Sequence, residues 1–379
     1  MDVSSRYKAA ILEAYPESFN AFLFWKARVG LYATLKAIGL GPGDEVILPG
    51  FTCVVVPNAI LYLGAKPVYV DIERETFNTS LEQIQAAHSP KTKAVLIQNT
   101  FGLSSQVSEI ATWAKEQGLV SIEDCTHGYG GFYNGKPNGS FCDLAFFSTQ
   151  WSKPFSTGLG GFVLTSSKDI SEKLSLLSEQ LIKPTWFKSF SLGAQIWARQ
   201  HLMGPASYWP LLKFYRFLSR NNIVSGSSGG EELEGIKMPK DYFMASSKLQ
   251  AKHGLKALNS LDSQLAQRKY SAKAYSEFLK ENGKNFVSEF LFENHSFLRY
   301  PLLVHNRDEF MKKAEAARLE VGDWFVSPLH PVKADLSEWQ YEYGSCPIAE
   351  TVASKIVNLS SSNHNETIDF LSRNLDLIE

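Results

Sequence analysis

Cysteine is scarce and scattered. Cys53, Cys125, Cys142 and Cys346 are the only four in 379 residues, and none stands at CxxC or metal-ligand spacing. That excludes a disulfide framework and a zinc site, suits a reduced compartment, and leaves the four as small buried residues. Net charge is lacking too: 38 Lys and Arg meet 39 Asp and Glu, so no overall field gathers DNA or RNA, and a charged ligand must be bound locally. No uninterrupted apolar run approaches the roughly 18 residues of a membrane span. The opening MDVSSRYKAAILEAYPE carries no basic-then-apolar leader, so the expectation is a cytoplasmic protein. Repeats are absent, and the only low-complexity stretch is SGSSGG at 225–230, which reads as a flexible linker.

What is present is ordinary globular material, 44% apolar and 20% charged, which argues against disorder. A chain of this length suits one large and one smaller domain. Short apolar, β-branched runs recur at 45–50, 67–72, 94–100, 119–124, 143–149 and 161–166 and read as buried strands. Helical stretches at 80–87 and 105–117 lie between them, so the fold class is α/β, with a mostly parallel sheet covered on both faces. Ligands of such sheets sit at the carboxyl ends of the strands.

From 180 to 230 the character changes. Lys183, Lys188, Arg199, Lys213, Arg216 and Arg220 are interleaved with Trp and Phe, with no acidic residue among them. A basic, aromatic segment of this kind suits a dimer-packing or lid insertion, the binding of a phosphate-rich or lipid-linked sugar, or a weak contact with a membrane surface. Residues 246–283 hold helical periodicity without a breaker and predict one long helix. The domain reading is a large domain over 1–235, containing the 180–230 insertion, and a small C-terminal α/β domain over 236–379.

The densest chemical signal lies in 119–165. Glu123 and Asp124 end a strand, where a carboxylate can face a ligand. The next strand ends at Ser148 and runs into Lys153, the only charge between Asp143 and Lys168, and then into the glycine turn 158–161. A lysine between an apolar strand and a glycine turn is partly desolvated, which lowers its pKa and makes its amine a nucleophile for a carbonyl. An aldehyde cofactor would form a Schiff base there, with Asp124 available to its ring nitrogen and hydroxyls near Ser148 available to a phosphate. By residue type alone, Asp124 could equally cap a turn and Lys153 could be a solvated surface charge.

The motifs resemble those of the DegT/DnrJ/EryC1/StrS family of sugar aminotransferases, fold type I pyridoxal-phosphate enzymes. Gly41 to Val46 match its GPGDEV turn, Glu123-Asp124 to Gly128 its EDxxxxxG segment, Phe147-Ser148 through Lys153 its FSxxxxK, and Ser156 to Gly161 its TTGxGG turn. Pro328 to Pro331 and Cys346 to Glu350 resemble its PLHxxP and FPxAE elements.

The resemblance implies that Lys153 holds pyridoxal 5'-phosphate and shuttles a proton, that Asp124 keeps the pyridine nitrogen protonated, and that Ser148 binds the phosphate. Arg28 and Val29 fall where the family cradles the phosphate with small or hydroxyl-bearing residues. His127 replaces a glutamine near the phenolic oxygen, Cys53 replaces an aromatic ring that stacks on the pyridine, and Tyr242 to Ser246 lack the asparagine expected to reach a partner subunit. No metal is implied. The implied reaction moves an amino group from L-glutamate or L-glutamine to a keto or aldehyde sugar, nucleotide- or carrier-linked, in a homodimer. Two rival readings are a dehydratase, whose relatives replace the lysine by histidine, and a non-catalytic scaffold docked on a membrane.

Overall fold

In the computed structural model, residues 1–204, 207–220, 230–333 and 335–379 are described. The linker read at 225–230 lies outside them except for Gly230. The apolar runs become strands because each is buried on both faces. The first part of the chain supplies β1 (Asn20–Phe24), β2 (Glu45–Pro49), β3 (Thr52–Cys53), β4 (Lys66–Val70), β5 (Thr92–Gln98) and β6 (Val120–Asp124). A short hairpin, β7 (Phe132–Tyr133) and β8 (Lys136–Pro137), precedes β9 (Leu144–Ser148) and β10 (Gly161–Thr165). Seven of these form one sheet in the order β1-β10-β9-β6-β5-β2-β4. Its five central and outer strands from β9 to β4 run parallel, while β10 is antiparallel to both neighbours.

Helices α1 (Val3–Leu12), α2 (Ala27–Ala37), α3 (Val55–Leu61), α4 (Leu81–Ala87), α5 (Val107–Glu116) and α6 (Lys168–Glu179) flank the sheet. Alternation along β2 shows how both faces are used: Val46 and Leu48 pack under α2, α3 and α6, whereas Ile47 joins Ile84 of α4 and Ile110 of α5. Gly30 lets α2 lie close on the sheet, since a Cβ there would stand 2.8 Å from a methyl of Val163.

The 180–230 segment folds as α7 (Trp186–Leu202) and α8 (Tyr208–Arg220), followed by the short α9 (Gly230–Leu233). Leu192 and Ile196 of α7 pack with Trp25, Leu159 and Met244. Gly158, at φ +82°, sits directly beneath them, and a Cβ there would lie 2.9 Å from both side chains. Among the described residues no helix is long and apolar enough to cross a membrane.

The single helix expected over 246–283 is two, α10 (Lys248–Leu258) and α11 (Leu261–Glu281). The break falls at Asn259-Ser260, where Ser260 has φ −108° and ψ 6° and its hydroxyl donates to the Ala257 carbonyl. Both residue types compete for backbone hydrogen bonds, so a helix can end there without glycine or proline. Beyond α11 come β11 (Tyr300–Leu303), α12 (Arg307–Ala316), β12 (Val321–Gly322), β13 (Leu329–His330), α13 (Pro347–Lys355), β14 (Ile356–Leu359) and α14 (His364–Ser372). β11, β14 and β12 make a three-stranded antiparallel sheet over a core that includes Tyr275, Phe310 and Phe370. β13 instead pairs in parallel with β3, setting Leu329 against Thr52 and His330 against Cys53.

Candidate active site

The carboxyl ends of β6 and β9 deliver Asp124 and Ser148 to a cavity of about 710 Å3, and the loop after β9 brings Lys153 to the same space. That loop is closed by side-chain and backbone bonds. The Thr149 and Thr157 hydroxyls lie 2.7 Å apart, the Thr157 N–H donates to the Thr149 carbonyl, and the Lys153 N–H donates to Gln150. Lys153 is half-buried, with its Nζ 4.6 Å from the centre of the Trp324 ring. Burial pulls its amine down to about 8, although Asp124 and Cys53 oppose the shift.

Asp124 is buried and accepts the Thr126 N–H at 2.9 Å. Burial raises its pKa, with the Thr126 hydrogen bonds and the Lys153 charge working the other way. It forms no ion pair among the described residues. Glu123, its neighbour, points to the other face of β6, as strand alternation requires. It accepts from Asn99 at 2.9 Å and from the Gly139 N–H at 2.8 Å, so its role is to hold loops together.

His127 lines the cavity and stacks on Trp324 at 4.7 Å and 10°. Burial, reinforced by Lys153, His330 and Arg299, pushes its pKa well below the usual imidazole value. The Phe101 N–H donates to Nδ1 at 3.2 Å. The neutral ring therefore carries its proton on Nε2 and offers a donor from that atom.

At the start of α2 the residue before the helix, Lys26, supplies no side-chain cap, so the first-turn N–H groups are left to other acceptors. Gly161 lies against this turn so closely that a Cβ would stand 2.3 Å from the Ala27 Cα. Arg28 is buried, and its Nη1 meets Glu232 of α9 at 2.8 Å, with Lys26 Nζ 3.8 Å from the same carboxylate. Lys26 is drawn down to about 8 by burial, which Glu232 only partly offsets.

Of the residues singled out in the sequence, Lys153, Asp124, His127, Ser148, Arg28 and Cys53 all line this one cavity. Val29 does not join them: its side chain is in the core beneath α2, and its N–H is taken by the Lys26 carbonyl. Trp324 was not legible beforehand. It lies in a short stretch between strands, and only the adjacent aromatic pair Trp324-Phe325 hinted at it. Glu232 escaped notice because it follows a run of small residues with no pattern of its own.

A second, polar cavity of about 1010 Å3 meets the first at Trp151, Ser152, Lys153 and Arg199. Arg268 and Arg299 line it. Arg299 pairs with Glu320 at 2.9 Å. Arg268, buried on α11, donates from Nη2 to the Pro154 carbonyl at 2.8 Å, while its buried Nη1 has no hydrogen-bond partner.

These groups suit pyridoxal 5'-phosphate: a desolvated amine, a buried carboxylate without an ion pair, a neutral imidazole donor, and a helix start without a side-chain cap for a phosphate. The fold and site define a fold type I pyridoxal-phosphate enzyme. The chain belongs to the DegT/DnrJ/EryC1/StrS aminotransferase family, whose pattern matches residues 12–195 and 241–370. It is 28% identical over 338 residues to an uncharacterised protein of Methanocaldococcus jannaschii, covering 87% of this chain and 78% of that one. A GDP-perosamine synthase of Caulobacter vibrioides is 38% identical over 160 residues, 41% of this chain and 43% of the synthase. The crystal structure of the aminotransferase TlmJ from Streptoalloteichus hindustanus superposes with a TM-score of 0.75 at 21% identity, covering 99% of this chain and 91% of that one.

The depressed Lys153 amine has a kinetic consequence. Only the neutral amine attacks the cofactor aldehyde, and protonation removes it as pH falls through about 8. Covalent loading of cofactor-free protein is therefore expected to slow about tenfold per pH unit below that value and to level off above it. Stopped-flow absorbance across pH 6 to 10 checks this; a midpoint near 10.5, the ordinary lysine value, would show that the amine is not desolvated.

Proposed function

We propose that this aminotransferase transfers an amino group from L-glutamate or L-glutamine to the carbonyl of a sugar-like acceptor, nucleotide- or carrier-linked. The observation that carries the reading is the convergence of Lys153, Asp124, His127 and Ser148 on one cavity. Pyridoxal phosphate, when bound, supplies an aldehyde that captures the donor amine and a ring that withdraws electrons from the substrate carbon.

The protein's own groups do the rest. Lys153 Nζ would hold the cofactor's aldehyde and would be the base that takes and returns the proton of the substrate carbon. Trp324 supplies the aromatic surface that Cys53 lacks. Asp124 would keep the ring nitrogen protonated, and His127, with its proton on Nε2, would donate to the phenolic oxygen. Ser148 and the first N–H groups of α2 would bind the phosphate, with Arg28 lining the same cavity. Arg268 and Arg299 suit the carboxylates of a dicarboxylic donor.

The presence of Lys153 argues against the dehydratase reading. The homodimer is part of the proposal, as is a weak membrane-surface contact through 180–230, supported by exposed Trp186, Phe187, Phe190 and Trp197 near Lys183. A reduced, cytoplasmic setting agrees with four free cysteines.

Visible absorption of the holoenzyme tests the reading. Adding L-glutamate is expected to bleach the band of the lysine-bound cofactor and leave the amine form. No visible band after incubation with pyridoxal phosphate would overturn it in favour of a scaffold.

A further inference from the structure

The cavity above Lys153 has one wall that does not come from the family pattern. That pattern stops at residue 195 and resumes at 241. Between those points, the end of α7 and the inner side of α8 place Leu202, Met203, Leu211, Leu212, Phe214 and Leu218 on the cavity surface. Val55, Val56 and Val326 line the same cavity. The α7–α8 side of the cavity is thus largely hydrocarbon. Apolar surface left in contact with water in this way marks a ligand that covers it.

Of the cations on the cavity, Lys26 and Arg28 pair with Glu232. Arg199 holds its guanidinium 5.7 Å from the Trp151 ring, close to Lys153, and Lys333 is exposed at the rim. A nucleotide would need donors and acceptors for its ribose and the edges of its base. The leucines of α8 offer none, and among the described residues that helix brings only two hydroxyls to the cavity, Ser219 and Tyr215, the latter accepting from Trp151 Nε1 at 3.1 Å.

We propose that the acceptor is an amphiphile: its carbonyl-bearing polar head, joined to an anionic linkage, faces Lys153 and Arg199, and a hydrocarbon tail lies along the apolar side of α8. This inference rests on the aminotransferase reading and narrows its acceptor from nucleotide-linked to lipid-linked. The α7–α8 insertion is then the specificity-determining element of the site, added to a catalytic base that the family pattern covers.

The experiment first confirms that L-glutamate bleaches the holoenzyme, since failure there removes the aminotransferase reading itself. Calorimetry on the same holoenzyme then compares butyl phosphate, dodecyl phosphate below its aggregation concentration, and UDP. Burying about half of the eight added methylenes predicts dodecyl phosphate binding on the order of 100-fold tighter than butyl phosphate, and tighter than UDP. Leu212→Asp, with Leu218→Ser as a milder second variant, is expected to remove at least about tenfold of that preference while butyl phosphate binds as before. Phe187→Ser, on the exposed side of α7, is expected to keep the preference in full. With bleaching intact, three outcomes overturn the inference: equal affinity for the two alkyl phosphates, tighter binding of UDP, or loss of the preference in Phe187→Ser in place of the α8 variants.

Discussion

Lys153→Ala is expected to lower the rate of the L-glutamate half-reaction on the order of 10³-fold or more. The variant should take up pyridoxal phosphate without the lysine-bound band and show no bleaching in stopped-flow mixing. The size of the effect follows from the two roles proposed for one atom: Nζ would both anchor the aldehyde and carry the proton. Its environment is prepared for that work, being half-buried over Trp324 with its pKa drawn down to about 8 by burial. The fold should survive, because Nζ makes no hydrogen bond or ion pair among the described residues, and the loop is held by Thr149, Thr157 and Gln150. Loss of the contact with Trp324 costs about 1 kcal/mol at most in a urea titration. Added ethylamine should restore part of the proton transfer in the alanine variant, which it would not do if Lys153 merely shaped the loop. Wild-type rates in Lys153→Ala would refute the assignment.

Asp124→Asn is expected to slow proton removal from the donor on the order of 10²- to 10³-fold, by the reasoning that applies to other preorganised electrostatic partners in dry sites. The amide keeps the size of the side chain but cannot hold a proton on the ring nitrogen. Glu123→Gln provides the contrast. Its carboxylate accepts from Asn99 and from the Gly139 N–H, so the amide forces one of two buried donors to lose its partner. The expected result is a loss of about 1–3 kcal/mol in stability with the half-reaction rate little changed. A primary effect of Glu123→Gln on the chemical step, with Asp124→Asn silent, would reverse the roles of the two carboxylates.

The sheet was legible because its strands are buried on both faces and therefore spell continuous apolar runs, as from Val46 to Leu48 and Val95 to Ile97. β1 was missed: Asn20–Phe24 is five residues long, and its outermost position is exposed. The bend between α10 and α11 was illegible for another reason, since Asn259 and Ser260 are weak breakers whose effect depends on what each end of the helix packs against. In the site, Lys153, Asp124 and Ser148 announced themselves by standing at strand ends within thirty residues of one another. Trp324 is far from them in sequence and is placed by long-range contacts, its backbone bonded to the Asn358 side chain of β14 and the chain just after it paired through β13 with β3. Nor could the aromatic and basic residues of α7 and α8 be sorted into inner and outer faces beforehand, for both faces are apolar.

The hydrogen bond from Arg268 to the Pro154 carbonyl joins a helix of the C-terminal half to the peptide that follows the reactive lysine. The loop of Lys153 is thus strung between two anchors, the sheet through Thr149 and α11 through Pro154. The placement of α11 against the sheet therefore helps set where Lys153 stands.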